Sequence, residues 1–492
     1  MDNILNNLGI DYLLVNATNE FLVEYSSLSE NARYTLTGFS GSTGDALLTQ
    51  DKIYLFVDGR YHTQADIEAK DGVTVVKLKI GQKQDDEIRK LIDRNKILGI
   101  VSKKVSQARL ETFSGYKIKL LDIDPINNFS ESHSNNYEKG LEPAVYEPEE
   151  AHFITNLEEV SYLMGLRDFS KDCSSKIWAK LFVKGKERKL FTSTIEYENY
   201  LKNIDFPLVV DKSTVSAYDY SIIKNPVHKP SEIKKLKSLK SEVELAAYKQ
   251  AFECTDKTMM AIREYIEKNE NLSEYDISMK LKELFVKYGA KGLSFNSIVA
   301  INQNSALAHY AKNAKDIILC DGSLVLIDCG AYYQSGLATD ITRVFVKGTP
   351  TSIQKEVYTM VLKAFLNAFN YESDKIVGKN IDTLAHEILD NAVSGFKFNH
   401  GLGHGIGINV HEVPPNLSQN EIANTQIMDN MTFTIEPGLY NPEFFGVRLE
   451  NSCYMKNGKI HSFVKMGYEG KLINYKMMTT QEKKWLEEFE IL

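Results

Sequence analysis

Apolar residues recur in two rhythms along this chain, and the change of rhythm divides it. Up to about residue 125, short apolar runs with strand character alternate with helical segments. The runs are DYLLVNA (11–17), DALLTQ (45–50), KIYLFVD (52–58), VTVVKL (73–78) and ILGIVS (97–102); the helices are TQADIEAK (63–70) and DDEIRKLIDRNK (85–96). Such alternation predicts an α/β domain. The polar stretch INNFSESHSNNYEKG (126–140) interrupts it and reads as a linker or long loop. A second, smaller α/β unit runs from AHFITNLEEVSYLMGL (151–166) through LFTSTIEYENYLKN (190–203) to FPLVVDKSTV (206–215). It closes near KNPVHKPSEIKKLKSLK (224–240), a hinge whose lysines read as a solvated helix face.

From Ser241 the rhythm becomes helical. Ser241 and Glu244 form an S-x-x-E capping box. Leu245, Tyr248, Phe252, Met259, Ile262 and Ile266 follow at steps of three, four or seven, which places them on one buried stripe. A second helix, SEYDISMKLKELFVKYG (273–289), and then strands open an α+β domain, the largest of the chain. The 492 residues exceed what one core organises. The expected division is 1–128, 129–234 and 235–492.

Composition narrows the class of protein. With 43% apolar and 25% charged residues the chain reads as soluble and globular, and a net charge of -8 argues against nucleic acid or an anionic membrane as partner. The first twenty residues lack a basic segment followed by a long apolar one, so a cytoplasmic location is expected. Cys173, Cys254, Cys320, Cys329 and Cys453 are widely spread without C-x-x-C spacing and read as reduced, mostly buried thiols.

The candidate chemistry begins at NHGLGHGIGINVHEVPP (399–415). Gly401, Gly403, Gly405 and Gly407 alternate strictly, which fits neither a dinucleotide fingerprint nor a P-loop. Alternation suits an extended backbone passing close to another, from which His404 projects, by itself either as a ligand or as a hydrogen-bonded loop imidazole. In GSLVLIDCGAYYQSGLATDITRVFVKG (322–348), a turn near 334–336 separates two β-rich runs and puts Asp328 and Asp340 nearly opposite on one face. MTFTIEPGLYNPEFFGVRLENS (431–452) does the same for Glu436 and Glu450, with Arg448 on the face of Glu450. Singly, each acid reads as a solvent-facing edge guard. Paired on apolar sheet faces they repel unless a cation lies between them. Four carboxylates and one imidazole form a hard ligand set for manganese or a similar divalent ion, enough for two ions with bridging carboxylates and an activated water.

Four segments, DCGAYYQSGLATDITRV, HGLGHGIGINVHEVPP, TIEPGLY and GVRLEN, resemble the pita-bread metallopeptidases of family M24, which include methionine aminopeptidases, prolidases and aminopeptidase P. LTGFSGSTGDALLTQDKIYLFVDGRYHTQAD (36–66), NLEEVSYLMGLRD (156–168) and KSEVELAAYKQAF (240–252) look like the three-domain form of aminopeptidase P (Xaa-Pro aminopeptidase). The resemblance implies two creatinase-like α/β domains before a pita-bread catalytic domain. It implies two divalent ions, manganese first and cobalt or zinc as alternatives. Asp340 and Glu450 would bridge them, Asp328 would complete one, and His404 with Glu436 the other. A hydroxide between the ions would hydrolyse the N-terminal Xaa-Pro bond. His309, His400 and His411 match substrate-side histidines: His309 and His411 as donors to the carbonyl, His400 shaping the proline pocket. Glu436 matches the general base, and Arg448 a partner orienting Glu450 beside the substrate. A homodimer is implied as well. Two alternatives stay open, a prolidase with the same ligands and a binding module of the same fold without catalysis. Leu337 and Ala338 depart from the family's usual threonines, the middle domain is short, and TTQEKKWLEEFEIL (479–492) reads as a closing helix.

Overall fold

The computed structural model describes residues 2–79, 81–130, 133 and 136–492. Positions 131, 132, 134 and 135 of the expected linker lie outside them. The chain forms two compact units, residues 1–168 with 176–233, and residues 169–175 with 234–492.

In the first unit a six-stranded sheet runs in the order Val73–Lys77, Ile53–Val57, Ala46–Leu48, Tyr12–Val15, Ile97–Val101, Lys117–Leu121. Pairing about Ala46–Leu48 is antiparallel and the outer pairs are parallel. Alternate residues serve opposite cores: Leu14, Leu47 and Phe56 pack on one face, Leu13, Ala46 and Leu48 on the other. The edge strand Lys117–Leu121 has no counterpart among the apolar runs, because its exposed lysines at alternate positions keep it from reading as one. A separate five-stranded sheet runs Glu187–Phe191, Lys180–Lys184, His152–Ile154, Leu208–Val210, Pro226–His228, with its own cores.

The second unit opens with helix Glu242–Lys268. Its Ser241–Glu244 capping box is formed, and Leu245, Tyr248, Phe252, Met259, Ile262 and Ile266 are buried as their spacing predicts. Helix Glu274–Lys287 follows with its own box, Ser273 and Asp276. The main sheet is antiparallel and runs Ile298–Ile301, Leu324–Cys329, Ile341–Val346, Glu450–Lys456, Thr432–Ile435, Gly403–Gly405, Glu412–Leu417, with Lys459–Ser462 alongside Glu450–Lys456. Helices Ser352–Phe369 and Gly378–Leu389 share one core with Leu324, Leu326, Val344 and Val346. The C-terminal helix Thr480–Leu486 closes that core with Leu486. No helix among the described residues is long and apolar enough to cross a membrane.

The lysines of KKLKSLK correct the sequence reading. Lys235 is exposed as a solvated face requires, but Lys237 and Lys240 are buried. Their ammonium groups lie 2.8 and 3.6 Å from Oε2 of Glu412, itself buried. Periodicity could not find this pairing, since the acid lies more than 170 residues away. No disulfide is found among the described residues; Cys173, Cys329 and Cys453 are buried, Cys254 is half-buried and Cys320 is exposed.

Candidate metal centre

The face of Leu324–Cys329 that buries Leu324 and Leu326 ends in Asp328. The register places Asp328 opposite Thr342 and Cys329 opposite Ile341. Asp340 therefore shares the face of Asp328 but sits diagonally, two residues from the directly opposed position, where Thr342 stands. Gly330 occupies the place facing Asp340, and a Cβ there would come 1.8 Å from the carbonyl oxygen of Thr339. The next residue, Cys329, turns to the other face and packs its sulfur 3.3 Å from that of Met259. Burial and the neighbouring carboxylates push its thiol well up, so it stays protonated.

The second hairpin pairs Ile435 with Asn451, and Gly438 with Arg448 beyond it. The same register puts Glu436 across from Glu450, as the sequence pattern predicts, while Pro437 interrupts the ladder. The turn itself falls at Asn441–Phe444. Because Ile341–Val346 pairs with Glu450–Lys456, Thr342 against Glu450, the two hairpins form one surface and all four acids meet on it.

The glycine alternation has a steric cause. A Cβ at Gly403 would lie 2.0 Å from the Thr434 carbonyl oxygen, at Gly405 2.6 Å from that of Glu412, and at Gly407 2.1 Å from the Glu412 carboxylate. The intervening His404 is held by its own N–H, which donates to Thr434 Oγ1 at 3.1 Å, and by Nδ1–H, which donates to the Gly405 carbonyl at 3.1 Å. That choice of tautomer leaves Nε2 with its lone pair toward Glu436 Oε1 at 3.4 Å and Asp340 Oδ2 at 3.8 Å. Gly403→Ala is expected to destabilise the fold by roughly 1–3 kcal/mol. It should also weaken divalent-ion binding by pushing His404 out of line. Chemical denaturation and ion titration of the variant check both.

The electrostatics suit a cation. Ligand atoms of Asp340, His404 and Glu450 all lie within 4.8 Å of one another. Burial, then the charges of Glu450, Asp328 and Glu436, push the Asp340 carboxyl well up; burial, then Glu436 and Asp328, do the same to Glu450. Burial raises Glu436 to about 7, with Asp328 adding to it and Arg448 and His411 opposing. Asp328 Oδ1 and Glu450 Oε1 are buried without a hydrogen-bond partner among the described residues. Orphaned carboxylate oxygens facing other carboxylates are what a divalent ion satisfies, and the oxygen-rich set suits a hard one. Asp340, His404 and Glu450 thus offer ligand atoms close enough for one ion, and Asp328 and Glu436 are carboxylates near enough for their charge to act on Asp340.

Arg448 departs from expectation. Its Nη2 donates to Asp328 Oδ2 at 2.5 Å, its Nη1 to the Tyr440 hydroxyl at 2.9 Å and its Nε to Thr342 Oγ1 at 3.3 Å. It therefore orients Asp328 rather than Glu450, and it is buried rather than open to a substrate. Glu450 takes its hydrogen bond from Thr342 at 2.7 Å. His400 is anchored beside these groups. Its Nδ1–H donates to the Gly401 carbonyl at 2.8 Å, and its Nε2 accepts from the Tyr440 hydroxyl at 2.8 Å. Both ring nitrogens are engaged inside the protein, in a chain His400–Tyr440–Arg448–Asp328. Thr342 and Tyr440 carried no signal in the sequence, being ordinary strand residues until the sheet brings them to the acids. His411 does reach the centre, its ring 4.4 Å from that of His404. His309 follows the 3-10 turn Asn302–Ala306 on a loop whose Ser305 Oγ donates to the Gly446 carbonyl at 2.9 Å and accepts its N–H at 2.8 Å, two residues before Arg448.

The buried carboxylate–histidine focus lies within residues 246–457, which match metallopeptidase family M24, the family to which the chain belongs; residues 1–128 match the creatinase/prolidase N-terminal domain. Among its relatives is Xaa-Pro aminopeptidase 1 of Dictyostelium discoideum, 28% identical over 95% of this chain and 87% of its own. The Xaa-Pro dipeptidase of Pyrococcus furiosus is 32% identical over 56% of this chain and 85% of its own. The fold is that of the X-prolyl aminopeptidase of Caenorhabditis elegans, described as a cytosolic enzyme with a di-nuclear active site. The match has a TM-score of 0.86 at 21% identity and covers 97% of this chain and 90% of that one.

Proposed function

We propose that this protein is an Xaa-Pro aminopeptidase, releasing the first residue of peptides whose second residue is proline. The observation that carries the reading is the convergence of Asp340, His404 and Glu450 within 4.8 Å, with Asp328 and Glu436 on the same surface. Length supports an aminopeptidase over a dipeptidase, since the Dictyostelium aminopeptidase aligns with 95% of the chain and the Pyrococcus dipeptidase with 56%. The intact ligand set speaks against a binding module without catalysis.

In this reading Asp328, Asp340, His404, Glu436 and Glu450 would hold two divalent ions, manganese before cobalt or zinc, with Asp340 and Glu450 as the shared ligands. Such a pair, when bound, activates a water and polarises the scissile carbonyl. The chain's own groups do the rest. Glu436 takes the water's proton and delivers it to the proline nitrogen, which has no hydrogen of its own and must gain one to leave. His411 and His309 donate to the carbonyl oxygen as it becomes negative. Arg448 and Tyr440 hold Asp328 in place. Three domains, 1–128, 129–234 and 235–492, a cytoplasmic location and a homodimer complete the proposal; the cytosolic worm relative supports the location.

A tripeptide Xaa-Pro-Xaa and the dipeptide Xaa-Pro separate the two peptidase readings. With manganese added, the tripeptide is expected to be cleaved at least tenfold faster by kcat/KM. Faster cleavage of the dipeptide makes the protein a prolidase instead, and no cleavage of either with manganese, cobalt or zinc leaves the binding module.

A further inference from the structure

Helix Glu274–Lys287 begins with a residue in an unusual place. An acid in the first turn of a helix normally faces water and complements the positive end of the helix dipole. Glu274 is instead fully buried, with 0% exposure. Its carboxylate meets no cation among the described ion pairs. It accepts four neutral donors: Oε1 takes the Ile301 N–H at 2.7 Å and Asn304 Nδ2 at 2.9 Å, while Oε2 takes the Tyr310 hydroxyl at 2.6 Å and the Ala314 N–H at 2.9 Å. The donors come from one segment, residues 301–314, and surround its histidine, His309.

The count of partners matches the chemistry of the group. An ionised carboxylate is an acceptor only, with about four lone-pair directions, and all four are used here. A glutamine offers one oxygen where two now accept, and its NH2 group meets the Ile301 N–H or the Ala314 N–H donor to donor. Hydrogen bonds to a charged acceptor are roughly twice as strong as neutral ones, which offsets the cost of burying the charge. The segment is thereby wrapped around a fixed point. Its N-terminal part is anchored as well. Ile298 pairs with Asp328, and Ser305 is bonded to Gly446 on the strand that carries Arg448. A Cβ on Gly446 would lie 2.2 Å from the Ser305 carbonyl oxygen, so the loop seats directly on that strand.

We infer that Glu274 is a positioning residue for the reaction, its buried carboxylate shaping the 301–314 loop so that His309 is held against the strands of Asp328 and Arg448. The inference rests on the proposed role of His309. A misplacement of about 1 Å in such a group costs up to about 100-fold in rate.

The test is a double-mutant cycle on the manganese-loaded full chain with an Xaa-Pro-Xaa tripeptide. Glu274→Gln is expected to lower kcat roughly 10- to 100-fold with KM changed by less than about threefold, as a lost positioning contact does. In a His309→Ala background the same change is expected to cost less than about threefold, because the group it positions is gone. Equal losses in both backgrounds, or an unimpaired Glu274→Gln beside an impaired His309→Ala, overturn the inference alone. A His309→Ala enzyme with wild-type turnover overturns the reading of His309 and the inference with it. Should Glu274→Gln not fold, Tyr310→Phe, which keeps the ring and removes one donor, replaces it in the same cycle with the same outcomes.

Discussion

Asp340→Ala is expected to lower turnover of an Xaa-Pro-Xaa tripeptide by roughly 1,000-fold or more, the equivalent of the several kcal/mol that a correctly held ion contributes. The fold should survive, because Asp340 makes no side-chain contact that the sheet depends on; its backbone carbonyl is what Ser452 Oγ bonds, at 2.8 Å. A second result distinguishes a ligand from an ordinary buried acid. Burial and three neighbouring carboxylates push the Asp340 carboxyl well above its usual range. A group raised in this way stabilises the fold below its unfolded value and opposes it as pH rises through the folded one. Asp340→Asn, neutral at every pH, is therefore expected to raise the melting temperature of the metal-free protein at pH 8. The gain should shrink toward pH 5. Calorimetry with a chelator present, beside turnover with manganese, measures both. Near-normal turnover in either variant removes Asp340 from the ligand set.

Glu412→Gln is expected to destabilise the protein by about 3–5 kcal/mol, since it leaves Lys237 and Lys240 buried without their counter-charge. Burial by itself raises the Glu412 carboxyl, but the two lysines outweigh it and bring it from 4.5 to about 2. That depression corresponds to roughly 3 kcal/mol, in line with the mutational expectation. It is present above about pH 4.5 and lost as pH falls toward 2, so the difference between wild type and variant should close in acid. Denaturant unfolding at pH 7 and pH 3.5 reads the change. Replacing all three charges together, Lys237→Met, Lys240→Met and Glu412→Gln, should recover most of the loss, because the cost lies in an unpaired buried charge. A small change in the single variant would mean that water reaches these lysines. Glu412 also accepts the Asn409 N–H at 3.2 Å and packs against Gly407, so the His411 loop is expected to loosen in the variant.

Much of this was legible in the order of residues. Strand and helix periods located nearly every element of the six-stranded sheet, and they identified the helix capped by Ser241. Parity along two hairpins put Asp328 with Asp340, and Glu436 with Glu450, on shared faces, since side-chain direction in a strand depends only on local geometry. Where local geometry ended, the reading failed. The edge strand Lys117–Leu121, with lysines at two of its five positions, was too short and polar to stand out as an apolar run, and the diagonal offset of Asp340 depended on register.

What the sequence by itself determined is therefore the kind of chemistry: which carboxylates share a face, which histidine is freed by its glycines, and that the set suits a cation. Only the tertiary structure decided the partners. Arg448 turned to Asp328, His400 to Tyr440, Lys237 and Lys240 to Glu412, and Glu274 to the loop of His309. Each of these joins residues from separate elements, often more than a hundred positions apart. Periodicity reports which side of an element a residue faces; what stands on that side is set by how the elements pack.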